Sequence, residues 1–178
     1  TGKTQHSAGS NNPSVLPERI PEALDTDGSK LDYLKPDALW TYKWSLHSAG
    51  HSSLDIDKDL PREMMYRNRD RNTSFMLGDS GGFQIGKGKW AGDWKANSGC
   101  PAAQKKRDGV LKWMDKYMDY GMILDVPAWL SRSPEGAAAA QISSYQEAAD
   151  ATAFNNEYFI KHRNGNCKFL NVFQGENH

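Results

Sequence analysis

The sequence predicts an α/β fold built on parallel strands. Three short apolar runs, at 75–77, 122–124 and 169–173, each close on a polar side chain followed by a Gly or Pro turn. Asp79 and Asp125 lie 46 positions apart, and Asp125 and Gln174 lie 49 apart. Each interval has room for a crossover helix, which neighbouring parallel strands require. Chemistry in such folds collects at the carboxyl ends of the strands. Two carboxylates and one amide are therefore expected on one rim.

Taken in order, residues 1–30 are polar and punctuated by Pro13, Pro17 and Pro21, the pattern of a loosely ordered lead-in to a domain at 31–178. Residues 38–46 carry alternating aromatics and suit a strand. Leu60-Pro61 with Glu63 behind it starts a helix over 59–71. Phe75-Met76-Leu77 reads as a buried strand, and Asp79-Ser80-Gly81-Gly82 as the tight turn that ends it. Residues 84–99, rich in Gly, Lys and Trp, form an irregular excursion or small hairpin.

From Gln104 to Tyr120, apolar residues at 110, 111, 114, 117 and 118 mark one helix face, and Gly121 ends the helix. Met122-Ile123-Leu124 is the second buried strand. Ser133-Pro134-Glu135 supplies a cap, a first-turn proline and an acid for the next helix. Its buried face is expected at 142, 145, 149, 152, 156 and 160, with Asn156 as the polar exception and Gly165 as the stop. Phe169 to Phe173 is the third buried run.

A chain of 178 residues fits one domain. Six Trp, seven Tyr and six Phe supply the apolar surface for a core. The 22 basic and 22 acidic residues cancel, which argues against nucleic-acid binding by bulk charge but leaves local basic patches open. No apolar run reaches the roughly 18 residues of a membrane span, and residues 1–14 lack a signal peptide's apolar stretch. Cys100 and Cys167 stand far apart and form no CxxC, so free thiols in a reducing, cytoplasmic setting are expected.

LGDSGGFQ at 77–84 is the strongest local signal. Two glycines after a strand permit positive φ and let a planar ligand lie against the backbone; an Asx-type turn would use the same residues. Asp125 is either a helix cap or a ligand-facing carboxylate. Gln174 and the Gly175 N–H are either a turn or a donor pair. Together the three ends suit a purine such as guanine: carboxylates accept its N1–H and NH₂, and an amide or N–H donates to O6.

Weaker patterns are read otherwise. Gly2-Lys3-Thr4 lacks the strand of a P-loop. Asp25-Thr26-Asp27-Gly28 is an ordinary turn. His47 and His51 are a partly exposed pair rather than a metal site, so no metal is expected here. Lys87-Gly88-Lys89-Trp90 and Trp94-Lys95 interleave cations with aromatics, as single-strand binders do, or form a solvated hairpin with buried Trp. Arg67-Asn68-Arg69-Asp70-Arg71 is a solvated helix end or a phosphate contact.

The motif Asp79-Ser80-Gly81-Gly82-Phe83-Gln84 resembles the DSGGFQ element of the tRNA-guanine transglycosylase family. Asp125 is similar to that family's second base-recognising aspartate, and Phe173-Gln174-Gly175 to its V-Q-G segment. Val126-Pro127 stands where the tRNA enzymes continue D-E-C. This is similar to divergent paralogues, including those that place 7-deazaguanines into DNA. The resemblance, over 74–175, implies the N-terminal half of a (β/α)8 TIM barrel and a pentosyltransferase. That enzyme exchanges guanine in tRNA or DNA for a 7-deazaguanine through a covalent glycosyl-enzyme.

It further implies Asp79 as catalytic residue and base contact. Ser80, Gly81, Gly82, Phe83, Asp125, Gln174 and Gly175 would complete the base-binding set. The family's zinc ligands and nucleophilic aspartate would lie past His178, so no cofactor is expected within these residues. The segment alone should hold base without breaking its bond, and the complete protein would be a homodimer. A nucleoside or glycoside hydrolase using Asp79 and Asp125, or a non-catalytic base- or nucleic-acid-binding subunit, would use the same residues differently.

Overall fold

The computed structural model describes residues 32–36, 41–58, 60 and 63–174. The lead-in, the Gly2-Lys3-Thr4 and Asp25–Gly28 patterns, and Gly175 lie outside them. The protein is mixed α/β with a four-stranded parallel sheet. Its strands β1 (Trp44–Ser48), β2 (Phe75–Asp79), β3 (Tyr120–Met122) and β4 (Lys168–Leu170) lie in sequence order. In register, Leu77 faces Tyr120 and Gly78 faces Gly121; Tyr120, Gly121 and Met122 face Lys168, Phe169 and Leu170. The first strand thus begins later than the alternating aromatics suggest.

The described residues divide into two compact units: those up to 45 together with 60–75, and residues 46–58 with 76–174. In the first, the helix expected over 59–71 shrinks to α1 (Met64–Arg67). Buried Glu63 accepts from the Tyr66 hydroxyl at 2.8 Å and from Arg67 Nη2 at 2.7 Å. Arg69 turns inward to the Ser74 carbonyl at 2.8 Å. Arg67 and Arg69 are therefore internal staples of a tight turn, not a solvated helix end. Phe75 N–H donates to Lys43 O, and the Trp44 and Phe75 rings pack at 5.3 Å.

In the second unit, α2 (Gly82–Gly86) follows β2 directly, with Gly81 left-handed at φ 77° as its N-cap. The turn expected after Asp79 is thus the start of a short helix. Then comes α3 (Pro101–Tyr117), opened by Pro101 at its first turn. It buries Val110, Leu111, Met114 and Tyr117 as its periodicity predicts, and also Ala103, Arg107 and Trp113. Met118 just beyond it is buried too.

Gly121 does not stop this helix; it is the buried middle residue of β3. A Cβ there would stand 2.6 Å from Met114 Sδ and 3.1 Å from Cys167 Sγ, and one on Gly78 would stand 2.8 Å from Met118 Cγ. Sulfur-bearing side chains fill the space that these glycines leave against the sheet. Both cysteines are free thiols.

The single helix expected from 133 onward is two, α4 (Pro134–Ala140) and α5 (Tyr145–His162). Gln141, left-handed at φ 57°, ends the first. Ser144 caps the second by accepting from Glu147 N–H at 3.1 Å, while the Glu147 carboxylate accepts from Ser143 N–H at 2.7 Å. The buried face of α5 is Ala148, Ala151, Thr152, Asn155 and Phe159, rotated by about one residue from the expected face. A polar residue anchors it: Asn155, fully buried. The run 169–173 is not buried either, since Leu170 is exposed and Phe173 is 90% exposed. No helix among the described residues is long and apolar enough to cross a membrane.

Candidate functional site at the strand ends

Each strand end delivers a polar group to one cluster. Ser48, the last residue of β1, donates from Oγ to Asp79 Oδ2 at 2.5 Å, and that same Oγ accepts from Gly50 N–H at 3.2 Å. Asp79 closes β2. Asp125 lies three residues past β3, and Gln174 four past β4. Gln174 Nε2 donates to Asp125 Oδ2 at 3.0 Å, and Gln174 Oε1 accepts from Ala128 N–H at 3.1 Å. The amide is thus oriented from both ends, with a second amide hydrogen left by valence.

The glycines explain how these groups come so close. A Cβ on Gly82 would lie 2.2 Å from Asp125 Oδ1 and 2.6 Å from Asp125 O. Only a hydrogen fits. A Cβ on Gly81 would meet Gly50 N at 2.6 Å, and the φ of 77° at Gly81 already disfavours any side chain. Buried Ser80 turns to the Asp125 carboxyl, so it acts on Asp125 rather than facing outward. Phe83 points out, 58% exposed.

Burial pushes the Asp125 carboxyl above the ordinary aspartate range, and the nearby Asp79 pushes it the same way. Its own backbone N–H, Gln174 and Ser80 oppose the shift by hydrogen bonding the anion. Like-charged carboxylates held at one rim are an arrangement that folding alone does not favour.

Sequence reasoning missed what holds Asp125. The peptides on either side of it are clamped from α5. Asn155 Nδ2 donates to Leu124 O at 2.8 Å, and Thr152 Oγ1 accepts from Val126 N–H at 2.9 Å while donating to Ala148 O at 3.0 Å. Asn155 is oriented in turn by Arg107 Nε at 2.6 Å. Arg107 also reaches Gln104 Oε1 at 2.7 Å and lies over the Phe154 ring at 4.8 Å; burial lowers its pKa. The hydroxyl of Thr152 on the expected buried face was the available signal.

Asn155→Ala should therefore cost about 3 kcal/mol, because it strips the acceptor from a buried guanidinium and the donor from a buried carbonyl. Urea unfolding checks this. A loss below about 1 kcal/mol would mean that other groups take over both bonds.

The remaining expectations are placed as follows. His47 is buried, with its ring 6.1 Å from that of Trp113, and burial brings its pKa down to about 3; His51 is exposed, so the two are not a partly exposed pair. No metal-binding cluster is found among the described residues. Trp90 and Trp94 are buried rather than offered to bases, with Trp94 Nε1 donating to Trp90 O at 2.8 Å. A depression of 280 Å³ along α5, lined by Phe154, Glu157, Tyr158, Lys161 and His162, includes no rim residue.

Fold and rim together define an α/β protein with a carboxylate-rich cluster at the carboxyl ends of its parallel strands. Comparison of the chain with family models, curated proteins and solved structures finds no match.

Proposed function

We propose that this rim binds guanine or a 7-deazaguanine, and that the protein is a base-exchange glycosyltransferase acting on a polynucleotide, tRNA or DNA. The observation that carries the reading is the gathering of successive strand ends: Ser48 bonds Asp79, Ser80 and Gln174 bond Asp125, and the two carboxylates lie close enough for Asp79 to raise the Asp125 pKa. The resemblance of Asp79–Gln84 to the transglycosylase motif supports it, as does the parallel sheet, which fits a (β/α)8 barrel seen in part.

In this reading the flipped-out base lies beside Asp125 and exposed Phe83, since Gly81 and Gly82 are closed off by Gly50 and Asp125. Asp125 accepts from the N1–H and NH₂ edge. The second Gln174 amide hydrogen, with the Gly175 N–H, donates to O6 as charge grows there. A carboxylate nucleophile from outside the described rim attacks C1′. The C1′–N9 electron pair leaves with guanine, which takes up a proton relayed from solvent through Asp79. The incoming 7-deazaguanine then loses its N9 proton to Asp79 and remakes the bond, releasing the carboxylate.

Calorimetric titration of the protein with guanine, 7-deazaguanine, hypoxanthine and adenine tests the pocket. Guanine and 7-deazaguanine should bind, and hypoxanthine, lacking the NH₂, should bind about tenfold more weakly. Adenine should not bind. Equal binding of all four, or of none, would overturn the proposal. With the complete protein, labelled guanine entering tRNA or DNA supports exchange, whereas base released without re-entry marks the pair Asp79 and Asp125 as hydrolytic.

A further inference from the structure

The short turn that follows Asp125 carries an aromatic ring with no role in the cluster. Trp129 lies in the 3-10 turn Ala128–Arg132, which is pinned by fully buried Leu130, yet the residue is 42% exposed. The indole is seated against Gly86 of α2, where a Cβ would stand 2.3 Å from Trp129 Cη2. Its orientation is therefore fixed by backbone, not by a mobile neighbour. Phe83 stands beside it, ring centroids 6.0 Å apart and tilted by 54°, so neither ring covers the other's face. Lys87 Nζ lies 5.4 Å from the Phe83 centroid and 5.8 Å from that of Trp129.

We propose that Trp129 and Lys87 form a second subsite, beside the base-binding rim, for the nucleotide next to the bound base in a single-stranded polynucleotide. The indole stacks on that nucleotide's base and the ammonium meets its phosphate. This rests on the proposed function, which puts a flipped base against Phe83 and Asp125.

A seated, exposed aromatic ring with one lysine ammonium over it matches a single nucleotide, which brings a π face for the ring and an anion to draw the ammonium aside. An apolar peptide would use the ring but give the lysine nothing to pair with. The subsite is also continuous with the rim. Phe83 follows Gly82, which abuts Asp125, and Trp129 comes four residues after Asp125 on the same loop. The chain's zero net charge makes the cation a local feature rather than part of a general basic surface. Of the cations read at 87–95, Lys87 pairs with exposed Phe83 and Trp129, while buried Trp90 and Trp94 carry Lys106 and Arg107 over their rings.

The test is fluorescence anisotropy with short labelled single strands holding one central guanine, in a ribo and a deoxy series. A matched set has abasic sites on both sides of the guanine. Trp129→Ala should weaken binding about tenfold, Trp129→Phe should retain most of it, and the effect of Trp129→Ala should vanish on the abasic set. Lys87→Gln should reduce the slope of log affinity against log salt by about 0.7, the single-strand contribution of one phosphate contact. Lys87 is exposed, so this variant carries the test if Trp129→Ala does not fold.

This pattern in either series supports the subsite, and the series that shows it more strongly identifies the sugar. Free guanine should bind both variants as it binds the unaltered protein. If Trp129→Ala and Lys87→Gln bind every oligonucleotide normally, the subsite is overturned. The same holds if Trp129→Ala weakens the abasic set equally, or if the unaltered protein binds no strand of either series. If free guanine fails to bind but strands still depend on Trp129, the base-binding reading falls and the subsite stands.

Discussion

Asp125→Asn should abolish most guanine binding while making the protein more stable at neutral pH. The binding loss follows from exchanging an acceptor for an amide that can present a donor to the base's N–H edge. Losing one charge-assisted hydrogen bond costs about 1.5–3 kcal/mol, or roughly 10- to 150-fold in affinity. The stability gain follows from the raised carboxyl pKa, whose first cause is burial and whose second is Asp79.

A native pKa above the unfolded one, which lies near about 4, means that the folded state holds its proton longer. Stability is therefore highest below that value, falls as pH rises through the native pKa, and stays low above it. The Asn variant lacks this titration. Its melting temperature should exceed that of the unaltered protein at pH 7, and the difference should shrink as pH falls toward 4. Thermal melts across this range check the sign. A lower melting temperature for Asp125→Asn at pH 7 would mean that Gln174 and Ser80 more than offset the burial of charge, and that Asp125 is a structural cap.

Gly82→Ala should damage the same site by shape alone. The added methyl would have to displace the Asp125 carboxylate, 2.2 Å away, and its carbonyl, 2.6 Å away. Overpacking of this kind costs about 1–3 kcal/mol of stability. Guanine affinity should fall at least about tenfold, since a small displacement of a base-reading carboxylate breaks its hydrogen-bond geometry. Gly99→Ala is the control: its φ of 67° strains the backbone, but nothing lies within 4 Å of the new methyl. It should lose some stability and leave guanine binding unchanged. Equal guanine affinity in the Gly82 variant would show that the base does not approach Asp125.

Much of this arrangement was legible in the residues. Periodicity identifies the body of α3 and apolar run length identifies β2, because those signals are local, whereas Pro101 was not read as the start of α3 and β3 begins two residues before the run 122–124. The rim was legible because strand-end polar residues recur at intervals fit for crossovers. What escaped depended on tertiary partners. The face of α5 was misread by one residue because Asn155 is buried for its hydrogen bond to the Asp125 loop, and its polarity makes the position look solvated, whereas Thr152 was placed on the buried face correctly. The break at Gln141 escaped because neither Gly nor Pro marks it. Trp129 gave no periodic signal, sitting in a turn whose conformation is set by what packs on Gly86.

The thioether layer behind β2 and β3 has a chemical consequence of its own. Met114 and Met118 occupy the volume that Gly78 and Gly121 leave empty, and neither is exposed to solvent. Peroxide would reach these sulfurs on local opening of this layer, since both side chains are fully buried in the closed packing. An oxygen gained at Met114 would have no room on return and would bring polarity into a dry layer. Each opening under oxidant would then leave a lasting mark, wedging the strands whose ends present Asp79 and Asp125. Oxidative ageing would thus reach the rim from behind, with no oxidant ever touching it.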